Sequence, residues 1–360
     1  MRVALVHDFL TQLGGAERLL QVFHEMFPDS PVFTLVYDER KTAGRFRGWD
    51  IRASFIQRLA RVVNYKWLLP LMPRAIENFD FAGFDLVLSD SSAFAKGIKV
   101  RPPAVHICYC HTPTRYLWQG PDEYVANQGI PLFLKPLVKV YLMKVLRKWD
   151  YAAAQRPNVL IANSREVQAR IERFYGREAA VVYPPLDTEF FHPTKPKGGY
   201  FLTAARLEPY KKIDLVIEVF NELGLPLVVA GSGSKLGALR SLAKSNIEFL
   251  GRVGDGELRD LYSGARAFIF PALEDSGLMI LESLACGTPV VAYRRGGAAE
   301  FVKDGGNGVL FDEQSVPSLR QALTRFGKID FSRESVRAGI EDYGKEKFVS
   351  AIKAIITEAT

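Results

Sequence analysis

Short apolar runs rich in β-branched residues alternate with amphipathic stretches along the whole chain, and this alternation predicts parallel sheets covered by helices on both faces. In the first half, strands are expected near Arg2 to His7, Pro31 to Tyr37, Phe84 to Ser89, Val105 to Cys110, Asn158 to Ala162 and Ala180 to Tyr183. Helices are expected between several of them, at Ala16 to Met26, Pro131 to Ala154 and Arg165 to Phe174. Ser164 can cap the last of these and Gly176 can stop it.

The stretch Pro184 to Gly199 is rich in Pro, Lys and Gly and follows neither period, so it marks a domain boundary. The pattern then begins again. Strands are expected at Tyr200 to Ala204, Leu227 to Ala230, Ile247 to Leu250, Ala267 to Pro271 and Val290 to Tyr293. Helices are expected at Ile213 to Leu223, Ser234 to Lys244, Glu257 to Gly264 and Leu278 to Ala285. The fold class is therefore α/β, with a first doubly wound domain over 1–190, a second over 191–340, and a closing helix over 341–360 expected to pack back on the first. Open α/β sheets bind ligands beyond the carboxyl ends of their strands, which makes a cleft between the two domains the expected site.

A length of 360 residues with 48% apolar and 24% charged residues agrees with two cores. Cys108, Cys110 and Cys286 lie in apolar runs, without CxxC spacing or histidines at ligand distance, and are expected as reduced core residues. The first residues enter a strand pattern directly, and no apolar run reaches the eighteen or so residues of a spanning helix, so a cytoplasmic protein is expected. Residues 1–190 hold 25 Lys+Arg against 19 Asp+Glu, so they carry nearly all of the net charge of +7. Such asymmetry suits an anionic membrane surface or a phosphorylated substrate. No nucleic-acid-binding motif accompanies it, so nucleic acid is not an expected partner.

Several segments carry candidate chemistry. Glu274-Asp275-Ser276-Gly277-Leu278-Met279-Ile280-Leu281-Glu282 follows a strand and enters a helix. Gly277 lets backbone approach a ligand, and the first-turn N–H groups of Leu278 and Met279, with the helix dipole, suit a phosphate. Arg206 and Lys211 stand just beyond the strand that opens the second domain, where two cations can grip a diphosphate. Gly231 and Gly233 make a strand-to-helix turn, without the third glycine or downstream acid of a dinucleotide fingerprint. In the first domain, Gly14 and Gly15 open a helix after His7-Asp8, and His111 heads His-Thr-Pro-Thr-Arg-Tyr-Leu-Trp directly after a strand.

Taken together, the Glu-x7-Glu spacing of Glu274 and Glu282, the following Ala-Cys-Gly-Thr-Pro-Val-Val, the Arg206–Lys211 pair and the His111 segment resemble retaining glycosyltransferase family 4, of the two-domain GT-B kind. The His111 segment resembles bacterial O-antigen and exopolysaccharide enzymes, many of them mannosyltransferases. The resemblance implies a nucleotide-diphosphate sugar as donor, with GDP-mannose expected first and a UDP-hexose second, and a saccharide or polyprenyl-linked acceptor. It implies that Glu274 contacts the hexose, Glu282 the ribose, Arg206 and Lys211 the diphosphate, and His111 the sugar or acceptor. Gly14, Gly15, Gly231, Gly233, Ser276, Gly277, Leu278 and Met279 would face the donor, and Arg252 and Val253 would border its base. Where many relatives have Gly-Phe or Pro-Phe, this chain has Asp275-Ser276.

No Asp-x-Asp pair occurs, so no metal or other cofactor is expected, the two cations standing in for the ion that often shields a diphosphate. A nucleotide-sugar epimerase of the same fold and a non-catalytic binding module are the rival readings. Two basic and apolar segments, Ile51 to Ile76 and Ile130 to Trp149, carry no acid before Asp150 and are expected to dock on an anionic leaflet as a peripheral membrane surface.

Overall fold

The computed structural model describes residues 1–121, 125 and 132–360, the side chain of Leu132 excepted. The chain divides into two compact units, Met1–Tyr183 with Val349–Thr360, and Pro184–Phe348. The second unit thus opens at the start of the Pro/Lys/Gly-rich stretch.

Seven parallel strands form the sheet of the first unit, in the order β3-β2-β1-β4-β5-β6-β7. They are β1 (Val3–Leu10), β2 (Val32–Tyr37), β3 (Ile51–Ala53), β4 (Leu86–Ser91), β5 (Val105–Cys110), β6 (Val159–Ala162) and β7 (Ala180–Val181). Strand β1 is buried almost throughout, as a central parallel strand with helices on both faces must be. The helices Gly15–Met26 and Arg165–Tyr175 follow β1 and β6. The second has the expected Ser164 cap, whose hydroxyl accepts from the Val167 N–H, and ends at Gly176 in the left-handed region. The helical stretch expected from Pro131 is an α-π-α run through Lys135–Tyr141, Leu142–Leu146 and Arg147–Ala154. Pro131 and Ile130 lie outside the described residues.

Six parallel strands make the second sheet, in the order β10-β9-β8-β11-β12-β13. These are β8 (Phe201–Ala204), β9 (Leu227–Ala230), β10 (Ile247–Gly251), β11 (Phe268–Phe270), β12 (Val290–Tyr293) and β13 (Gly308–Phe311). Both sheets reverse direction of winding between two neighbouring strands, β1/β4 in the first and β8/β11 in the second. Such switch points open crevices at the strand ends, and in both units the candidate residues cluster there. Each unit has its own core, the first including Leu35, Ile76 and Leu146 and the second Phe220, Ile269 and Phe311. All three cysteines are buried and unpaired with one another.

Candidate functional site

In the second unit, β8 delivers Arg206 and Lys211 on its carboxyl-side loop, and the neighbouring β11 delivers Glu274. Arg206 is exposed, whereas the half-buried Lys211 ammonium pairs with the Glu274 carboxylate and lies 5.1 Å over the Tyr210 ring. The loop is fixed by its neighbour. Ala205 N–H donates to Ala230 at 3.1 Å, Leu207 N–H to Ser232 at 2.9 Å and Lys235 N–H to Leu207 at 3.0 Å. A Cβ on Gly231 would run into the Ala205 carbonyl, and one on Gly233 into Leu207 backbone. Those glycines therefore let two strand-end loops lie backbone to backbone, a packing duty beside the donor contact expected of them. Gly231 N–H in turn donates to Gly251, at 2.6 Å, and so ties in the turn that carries the exposed Arg252 and half-buried Val253.

Gly277, at φ +60°, is the residue before the Leu278–Ala285 helix, whose first-turn N–H groups lack acceptors within the helix. Glu282 is only 2% exposed and accepts from the Tyr262 hydroxyl at 3.3 Å. It is an enclosed carboxylate, not a solvated helical glutamate. The Glu274 loop has a support the sequence reading did not single out: Gly297 N–H donates to the Glu274 carbonyl at 2.9 Å. Gly296 sits at φ +64°, and a Cβ there would strike that same carbonyl. The available signal was a second Gly-Gly at a strand-to-helix turn, after β12.

At the β1/β4 switch of the first unit, four titratable side chains form a line. His7 Nδ1 lies 3.0 Å from Asp90 Oδ2, and His7 Nε2 lies 3.9 Å from Glu17 Oε1. The other Asp90 oxygen meets His111 Nε2. His7, Asp90 and Glu17 are buried, and His111 keeps 16% of its side chain exposed at the end of the line. Burial alone would lower the His7 pKa, but Asp90 and Glu17 outweigh it and raise it to about 10. Burial pushes Asp90 up, and the two histidines overcome this and hold it below the usual carboxylate range. Gly14 precedes the Gly15–Met26 helix, and beside it Glu17 Oε2 is buried with no hydrogen-bond partner among the described residues.

The same end of the sheet is stiffened by buried charge. Asp8 accepts the backbone N–H groups of Ser92, Ala93, Phe94 and Ala95, all at 2.6–2.7 Å. Lys96, fully buried, pairs with Asp150 at 2.7 Å and bonds Thr114 at 3.0 Å. Asp150 also accepts from Thr114, Trp118 and Tyr175. Thr114 and Trp118 thus anchor the segment that His111 heads. Sequence reasoning found His111 but not the pairing roles of Asp90, Glu17 or Lys96, which belong to no recognisable motif.

The two basic segments divide by face. Ile56, Leu68, Leu69 and Leu142 belong to the core and are not available to a membrane surface. Phe55, Leu59, Val62, Trp67, Phe133, Leu137 and Val140 are exposed, in company with exposed Arg58, Arg61, Lys66 and Lys139 and half-buried Lys135. Among the described residues, no helix is long and apolar enough to cross a membrane.

Two doubly wound units with candidate residues at their switch points define the GT-B class. Residues 13–190 match the model of Glycosyltransferase Family 4 and residues 187–346 that of Glycosyl transferases group 1. With both halves matched, the chain belongs to the GT-B glycosyltransferases, a family 4 domain followed by a group 1 domain. A D-inositol 3-phosphate glycosyltransferase of Streptomyces bingchenggensis is 28% identical over 239 residues, covering 56% of this chain and 52% of that protein. One from Thermomonospora curvata is 29% identical over 310 residues, covering 69% and 70%. The chain spans about half the length of the first of these relatives. Among solved structures, Anabaena HepE in complex with UDP and glucose superposes with TM-score 0.73 at 18% identity, covering 99% of each chain. Sucrose-phosphate synthase from Thermosynechococcus elongatus gives 0.76 at 15%, also covering 99% of each.

Proposed function

We propose that this chain is a retaining, metal-independent glycosyltransferase that moves a hexose from a nucleotide-diphosphate sugar to a saccharide or lipid-linked acceptor. The observation that carries the reading is the Lys211–Glu274 pair beside Arg206, on adjoining loops at the β8/β11 switch. The cations match a diphosphate, and Glu274 can accept hydrogen bonds from hexose hydroxyls. Charge that develops on the leaving diphosphate meets Arg206, Lys211 and the helix start at Gly277, all in place before the bond breaks. The acceptor hydroxyl attacks from the face the diphosphate leaves, and a departing phosphate oxygen takes its proton. His111, steadied by Asp90, faces the sugar or acceptor.

For the donor, the HepE structures hold UDP, which supports a uridine donor for this chain. The His111 segment supports GDP-mannose, and the inositol-phosphate enzymes support a phosphorylated acceptor. The exposed basic and apolar strip supports docking on an anionic leaflet. Incubating the protein with a nucleotide sugar and a polyprenyl-diphosphate-linked saccharide, then reading the product's anomeric configuration by NMR, tests the proposal. Retained configuration without added metal is expected. An inverted product overturns retention, and release of a free sugar or epimer without acceptor favours an epimerase.

A further inference from the structure

The loop after β1 and the turn after the Ile56–Leu59 helix enclose a hollow of about 500 Å³, within the range of small-molecule sites. Its walls include Thr11, Gln12, Lys41, Arg61, Asn64 and Lys66, three of them cations, with no acid among its lining residues. Lys41 has a half-buried partner, Asp38, at 3.4 Å, while the Arg61 and Lys66 side chains form no ion pair among the described residues. The Thr11 hydroxyl reaches Tyr65 OH at 3.5 Å, and the Phe9 and Tyr65 rings lie 5.2 Å apart, so the two walls are joined. Thr11 and Gln12 belong to the same turn as Gly14 and Gly15, which places the hollow beside the glycine turn of the first unit.

The rim is apolar. Val62 and Val63, which also line the hollow, are 86% and 44% exposed, and Leu59 and Trp67 on either side are 46% and 55% exposed. A cluster of exposed apolar side chains around a basic hollow has a cost in water that a bound hydrocarbon would remove. Cations and exposed hydrocarbon side by side together select for one kind of molecule.

We propose that this hollow holds the phosphate or diphosphate headgroup of an amphiphilic acceptor, whose hydrocarbon chain lies over Val62, Val63, Leu59 and Trp67. The inference rests on the reading of the chain as a glycosyltransferase and names the class of acceptor its first unit takes. A free phosphorylated molecule offers the same headgroup chemistry, and the hydrocarbon separates the two sources.

Titration calorimetry of the full chain tests this, using farnesyl diphosphate and inorganic pyrophosphate, with UDP present so that a donor site is occupied. Farnesyl diphosphate should bind at least tenfold tighter than pyrophosphate. Arg61→Ser and Lys66→Ser should each weaken it about fivefold, the effect of one basic residue beside an anionic headgroup. Trp67→Ser should weaken farnesyl diphosphate and leave pyrophosphate unchanged. All three residues are exposed, so the substitutions spare the core. Equal affinity for the two ligands overturns the amphiphile. Absent binding, or binding indifferent to Arg61→Ser and Lys66→Ser, overturns the site. UDP and GDP binding are read first, and failure of both strikes the glycosyltransferase reading while the titration of the hollow still stands.

Discussion

Charge on a departing diphosphate is stabilised by groups already in position, and Lys211 is positioned by its ion pair with Glu274. Arg206→Ala and Lys211→Ala are each expected to lower kcat about a hundredfold or more, with a smaller effect on donor affinity. EDTA should leave wild-type turnover intact, and activity lost to EDTA and restored by Mn²⁺ would contradict the metal-free reading. His7 gives a second prediction at this scale. Its pKa, ordinarily 6.5, is about 10 in the fold, so its stabilising contribution is complete below pH 6.5 and is lost as pH rises through about 10. Buried His106 works in the opposite direction: burial, then Arg156, lowers its pKa to about 3, so stability falls as pH drops below 6.5 toward 3. In denaturant unfolding, the deficit of His7→Gln relative to wild type should be largest near pH 6.5 and shrink toward pH 10. A deficit independent of pH would show that His7 is not charged in the fold.

Strand-end loops are the elements that carry the site, and their conformation depends on glycines. Gly296→Ala should displace the Glu274 carbonyl and lower kcat tenfold or more, in addition to a backbone cost of about 1–3 kcal/mol, because φ +64° with ψ −150° is a region essentially reserved for glycine. Gly305→Ala is the control. It too has a positive φ, +83°, but its Cβ would meet nothing within 4 Å, so turnover should be unchanged. Turnover assays on the two purified variants decide the point. The contrast also shows what a sequence displays of such a protein. Buried parallel strands such as β9 and β11 are continuous apolar runs, and the loops after β8 and β11 carry Arg206, Lys211 and Glu274 at spacings that can be read directly. Edge strand β3, with its pattern Ile-Arg-Ala, and the short helices after it have too few apolar positions to set a period. Asp90 and Gly296 act through partners 21 and 22 residues away, His111 and Glu274, and such pairings leave no periodic trace.

For the whole molecule, a thermal-shift series against UDP, GDP, GDP-mannose and UDP-hexoses separates the donors, since ligand at a hundredfold its Kd adds about 2.7 kcal/mol, and the largest rise with uridine ligands would select a UDP-hexose. A preference for GDP-mannose would return the donor to the reading carried by His111. Cosedimentation with anionic vesicles should occur at low salt and fade as salt rises. Replacing Arg58, Arg61 and Lys66 by Glu should weaken it and leave nucleotide binding unaltered. No cosedimentation at low salt would assign the positive charge to phosphorylated substrates alone.

The helix Lys345–Ala359 begins in the second unit, and Val349–Thr360, with buried Ile352 and Ile356, belongs to the first. The first unit to leave the ribosome therefore receives its last segment after the whole of Pro184–Phe348 has been made. During synthesis, the apolar surface that awaits Ile352 and Ile356 stays uncovered while the second unit is translated, so the nascent first unit depends on prompt completion of the chain, and ribosomes stalled within Pro184–Phe348 would hold a form open to proteases and chaperones.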